Sequence, residues 1–121
     1  EIKPKKIYLI NYNLNKILSK KNFYFFEYNL LDKFDKKCHL IRAFNIFVPS
    51  YFDNQDINKI IFNIYNSLHE EGIFVVGYNK KSNSTFNGNL LIKKNNKFEN
   101  VKEYGKGSHF IKNILSFNNN L

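Results

Sequence analysis

Few side chains in this chain are placed to do chemistry, and most of them fall between His39 and Gly77. Asn45 closes an apolar strand and Tyr51 follows in the loop beyond it, at the carboxyl end where ligands of α/β sheets sit. A carboxamide and a phenol there suit the holding of a polar ligand, with the alternative that Asn45 only caps the loop. Arg42, inside the strand, reads as a sheet-edge or salt-bridge residue. His39 could serve as a base, but an isolated histidine at a strand start reads first as structural. Cys38 and His39 are adjacent rather than at metal-ligand spacing, and His69 and His109 have no cysteine or acidic cluster beside them, so no metal site is expected. The string Gly105-Lys-Gly-Ser108-His does not match a hydrolase nucleophile elbow, and no phosphate-binding loop is present.

The elements that would position these residues form one strand, loop, helix, strand unit. Ile57, Ile60, Ile61, Ile64, Tyr65 and Leu68 recur at i, i+3, i+4, i+7, i+8 and i+11, which puts all of them on one stripe of a sixteen-residue helix. Asp53 stands as its N-cap, Asp56 favours the positive end of the dipole, and Gly72 marks its end. Ile73 to Val76 is an apolar run without alternation, as in a parallel strand covered on both faces. The order is that of a βαβ crossover. Around it, Ile7 to Ile10, Phe23 to Phe26, Asn89 to Lys93 and His109 to Phe117 read as strands, and Asn13 to Ser19 as a weak helix. The last two strands read as an antiparallel pair joined through Gly105 and Gly107.

At 121 residues the chain is one domain, short for a complete doubly wound enzyme. No apolar run approaches the roughly 20 residues of a membrane span, and the lone Cys38 points to a cytoplasmic setting. The net charge of +9 makes nucleic acid a candidate partner. Eighteen of the nineteen basic residues are lysine, however, and they accompany twenty-one asparagines and fourteen isoleucines, so a solvated surface of compositional origin is the plainer reading.

The wording from Leu40 to Gly77 resembles the second half of class I S-adenosylmethionine-dependent methyltransferases. There a strand of the D-x-I-R-A-x-N type leads through YF to a helix ending in L-x-x-G-G; this chain reads HLIRAFN, then YF at Tyr51, then LHEEG. The resemblance implies methyl transfer from S-adenosyl-L-methionine to an unidentified acceptor. It also implies an α/β fold, a partial doubly wound Rossmann-like sheet, mostly parallel, with a C-terminal antiparallel strand pair. Asn11, ending IYLINYN, would meet the cofactor ribose. Asn29, in FEYNLLD, would meet the adenine amino group, with Leu30 packed on the ring and Phe44 near the methyl group. Asn45 and Tyr51 would orient the acceptor, the catalytic task of a displacement that depends on near-attack geometry. Asn11 and Asn29 replace aspartates of the family pattern, and His39 replaces a third. All five glycines lie in the second half, so the first strand and its glycine-rich turn are expected upstream of Glu1. The alternatives are a non-catalytic, methyltransferase-like interaction module and a basic RNA-binding domain.

Overall fold

The computed structural model describes residues 22–24, 26–80 and 85–120. Asn11, the strand expected at Ile7 to Ile10 and the helix expected at Asn13 to Ser19 lie outside them. In chain order the elements are β1 (Cys38–Phe44), α1 (Asn54–Ser67), β2 (Leu68–Asn79), β3 (Phe86–Lys94), β4 (Lys97–Tyr104) and α2 (Ile111–Ser116).

Helix α1 forms where its apolar stripe can be buried. Ile57, Ile60, Ile61, Ile64 and Tyr65 are all at most 6% exposed, and each buried isoleucine is worth about 2 kcal/mol. The Asp53 carboxylate accepts the Asp56 N–H at 2.8 Å, as an N-cap should. The stripe packs with Phe74 and Val76 of β2, Leu91 of β3, Phe98 of β4 and Ile114 of α2 in a single apolar cluster.

The sheet corrects the expected fold class. Its order is β1-β2-β3-β4, and only β1 and β2 run parallel; β2 with β3 and β3 with β4 are antiparallel. The βαβ unit is present, but among the described residues it holds the only parallel pairing and the structure is mainly β, so the sheet is not the mostly parallel, doubly wound one. The reason lies in the connections. β3 returns to β4 through Asn95 and Asn96, both at positive φ (53° and 64°), the geometry of a tight hairpin turn that asparagine tolerates.

Three further expectations change with it. His109 to Phe117 is not a strand: Phe110 takes a left-handed conformation and α2 follows, so β4 is the partner of β3. Strand β2 is covered on one face only, with Phe74 and Val76 buried and Ile73 37% exposed. Gly72 does not end the helix, because α1 passes into β2 at Leu68 with no loop between them. Gly72 instead belongs to a bulge, in which His69, Glu70, Glu71 and Gly72 of β2 face His39 alone on β1.

The direct joint leaves the carboxyl end of α1 without a basic residue in its last turn. Lys93 of β3 supplies one. Its ammonium is buried, donates to Tyr65 O and Leu68 O at 2.8 Å each, and lies 4.1 Å from the Tyr65 ring centroid. Burial pushes the Lys93 pKa below its usual 10.5, helped by the Lys37 charge and opposed by Glu70. The folded chain therefore holds this proton less tightly than the unfolded chain. The resulting cost is full below the folded value and fades as pH rises toward 10.5. Lys93→Met is expected to lower stability by about 2 kcal/mol through loss of both charge-assisted bonds. In urea denaturation the gap between the parent protein and this variant should widen as pH is raised toward 10.5; a flat or narrowing gap would refute the assignment.

Candidate functional site

The face of the sheet turned away from α1 carries two cross-strand rows whose residue types are unusual together. In one, Arg42, Val75, Leu90 and Lys102 stand side by side across all four strands. In the next, Phe44, Gly77, Gly88 and Tyr104 do the same. The two cations and the two rings thus occupy the outer strands, with small or aliphatic residues between them.

The glycines are required by a close approach. A Cβ at Gly77 or Gly88 would strike the ring of Phe86, which lies over both. Phe86 therefore fills the floor between the outer rings, with centroids 4.9 Å from Phe44 and 5.7 Å from Tyr104. The three rings make a continuous aromatic band. The Arg42 guanidinium sits 3.6 Å above the Phe44 ring and the Lys102 ammonium 5.1 Å from Tyr104. Among the described residues, neither cation forms an ion pair with a carboxylate. Glu103 is turned to the other face, where its carboxylate lies 3.4 Å from Asn89 Nδ2, while Glu99 occupies the next row, opposite Ile92.

The chain beyond β4 is locked against this end of the sheet by two buried asparagines. Asn87 Oδ1 accepts the Lys106 N–H at 2.8 Å. Asn89, fully buried, accepts the Ser108 N–H at 2.7 Å and the Ser108 hydroxyl at 2.9 Å, and donates to Asn100 Oδ1 at 3.1 Å. Gly105 and Gly107 supply the positive φ values of 59° and 74° that let the loop wrap these side chains. The loop so held carries Lys106 to the end of the sheet that also bears Lys80, next to Asn79 at the end of β2.

The residues singled out in the sequence fall in three places. Phe44 belongs to the aromatic band. Its neighbour Asn45, at φ 58°, donates its N–H to Gly77 O and accepts the Asn79 N–H on Oδ1, both at 2.9 Å, fastening the end of β1 to β2. Asn29 and Leu30 lie on the helix side of β1. Asn29 Oδ1 accepts the Leu31 N–H at 3.0 Å in a local turn, and Leu30 lines an apolar cavity of about 280 Å³ with Phe26, Phe34, Ile41 and Ile64. Tyr51 is 67% exposed on the β1–α1 loop. Asn11 is outside the described residues. The structure thus joins Phe44 with Asn45 and Asn29 with Leu30, on opposite sides of β1.

Sequence reading passed over Phe86, Lys102 and Tyr104, and set Arg42 aside as a sheet-edge residue. The available signal was the spacing Lys102-x-Tyr104 and Arg42-x-Phe44, which in strands puts each pair on one face. His39 lies against His69, with centroids 4.4 Å apart, and among the described residues no cluster of three metal-ligating side chains exists. No family model, curated protein or solved structure compared with this chain matches it. Among the described residues no helix is long and apolar enough to cross a membrane.

The asparagine lock can be tested directly. Asn89→Leu is expected to strand the buried Ser108 N–H and hydroxyl and to cost about 2–4 kcal/mol in denaturant unfolding. Hydrogen exchange at the Ser108 amide should quicken more than exchange in β2; equal protection in variant and parent would remove the role.

Proposed function

We propose that this chain is a nucleic-acid-binding module. The observation that carries the reading is the placement of Arg42 and Lys102 in one row beside the Phe44, Phe86 and Tyr104 band, with Lys80 and Lys106 on the adjoining loops. Cations free of carboxylate partners attract a phosphate backbone and gain by releasing its counterions. Aromatic rings beside them offer surface on which bases can stack. The net charge of +9 works in the same direction at long range.

Methyl transfer is not carried forward. The resemblance from Leu40 to Gly77 implied a mostly parallel sheet whose order holds the cofactor at strand ends, and the sheet here has another order. Asn29 with Leu30 and Phe44 with Asn45, which that reading needs around one cofactor, lie on opposite sides of β1.

Fluorescence anisotropy of a short labelled RNA, titrated over a range of salt, tests the proposal. Affinity is expected to fall linearly on a double logarithmic plot with a slope of about −3, as four cations on a single strand require. Replacing Arg42 and Lys102 together by glutamine should make the slope shallower by about 1.4. Absent or salt-insensitive binding would overturn the reading.

A further inference from the structure

Resting on that nucleic-acid reading, we infer that the open sheet face takes a single strand rather than a duplex, laid across the β-strands with its bases on the aromatic band. The face is four strands wide, so Arg42 and Lys102 are separated by three strand spacings, about 14 Å. At the roughly 3.4 Å per nucleotide of a stacked strand that span corresponds to about four nucleotides, and to fewer where the bases are splayed apart onto the rings. A phosphate can meet each edge while the intervening bases lie over the rings.

Two details favour bases over backbone alone. The Arg42 guanidinium lies 3.6 Å from the Phe44 ring centroid, which puts a planar cation beside the band for a base to stack upon. The middle of the face is filled by a ring that lies on the backbone: Gly77 and Gly88 leave room for Phe86, and among the described residues these two glycines are the row's members between Phe44 and Tyr104. Apolar surface continues past the band, with Leu40 58% and Ile73 37% exposed on the same face. A duplex keeps its base faces stacked inside and can use only the cations; a single strand can use both.

The experiment compares one labelled RNA alone and annealed to its complement, on the parent protein and on Phe44→Leu, Tyr104→Leu and Tyr104→Phe. Leucine keeps apolar bulk without a ring, and circular dichroism confirms that each variant is folded. Single-strand binding is expected to exceed duplex binding, and each leucine variant should weaken it about tenfold while leaving the salt slope unchanged. Tyr104→Phe should bind like the parent. If the duplex binds as well as the single strand and the leucine variants are silent while salt dependence persists, the nucleic-acid reading stands and the stacking platform falls. If neither RNA binds, both fall.

Discussion

A single buried ammonium holds the helix to the sheet. Because α1 runs into β2 at Leu68 without a loop, the last helical carbonyls point at the place where the strand begins. Lys93 reaches them from β3 and so ties three elements at one point. Across the β3–β4 ladder Lys93 pairs with Phe98, whose ring meets Tyr65 edge-on at 5.5 Å. The ammonium is therefore buried beside the Tyr65 ring at the point where the end of α1 meets the sheet. The isoleucine stripe, buried in one cluster with Phe74 and Leu91, supplies the larger part of the same packing. The bulge at His69 to Gly72 follows too, since β2 must leave the helix end before it can take up register with β1 at Leu40 and Ile73.

Asparagine does at the other end of the sheet what lysine does at this one. Asn45, Asn87 and Asn89 each use a carboxamide oxygen to capture a backbone N–H that the ladder does not satisfy. The loop after β4 is thereby pinned by strand side chains as well as by its own turn, in which the Gly107 N–H donates to Tyr104 O, and Lys106 is held at the end of the sheet where Lys80 lies. Abundant asparagine in the composition is thus put to structural use at particular places.

The helix was legible in the sequence because its signal is periodic and its cap local: the stripe from Ile57 to Tyr65 and the cap Asp53 hold in the structure, while Leu68, also buried, already begins β2. The sheet order was not legible. Strand direction depends on which edge a returning strand finds, and the hairpin at Asn95 and Asn96 carried no Gly to announce it. Strand β4, KFENVKEY, buries only Phe98 and so lacks apolar alternation, while IKNILS of α2 reads as an apolar run though Ile114 alone is buried. The resemblance misled through the same gap, because L-H-E-E-G fits a helix terminus by its letters and forms a strand bulge in the fold. The candidate site failed for a related reason: its rows exist only once four strands are in register, and no single segment contains more than two of their residues.

Two surfaces compete for the role of site, and their polar groups decide between them. The cavity beside Leu30 is mostly apolar: on its wall Asn63 Nδ2 donates to Leu30 O at 3.0 Å, Ser67 Oγ donates to Asn63 O at 2.8 Å, and Arg42, which also borders it, rests its guanidinium on the Phe44 ring. A ligand there would find little to fix its orientation. The open face holds the reverse arrangement. Its asparagines are turned inward to bind loops, Glu103 is turned to the other face, Glu99 stands in the next row without, among the described residues, an ion pair to either cation, and the cations rest on rings. A parallel strand pair is ordinarily covered on both faces, yet β1 and β2 leave Leu40 and Ile73 exposed beside Arg42. Apolar area held open next to unneutralised charge costs the free chain in both respects. A partner that brings flat apolar rings and phosphates together relieves both at once, which is why a nucleic acid fits this face better than an apolar ligand fits the cavity.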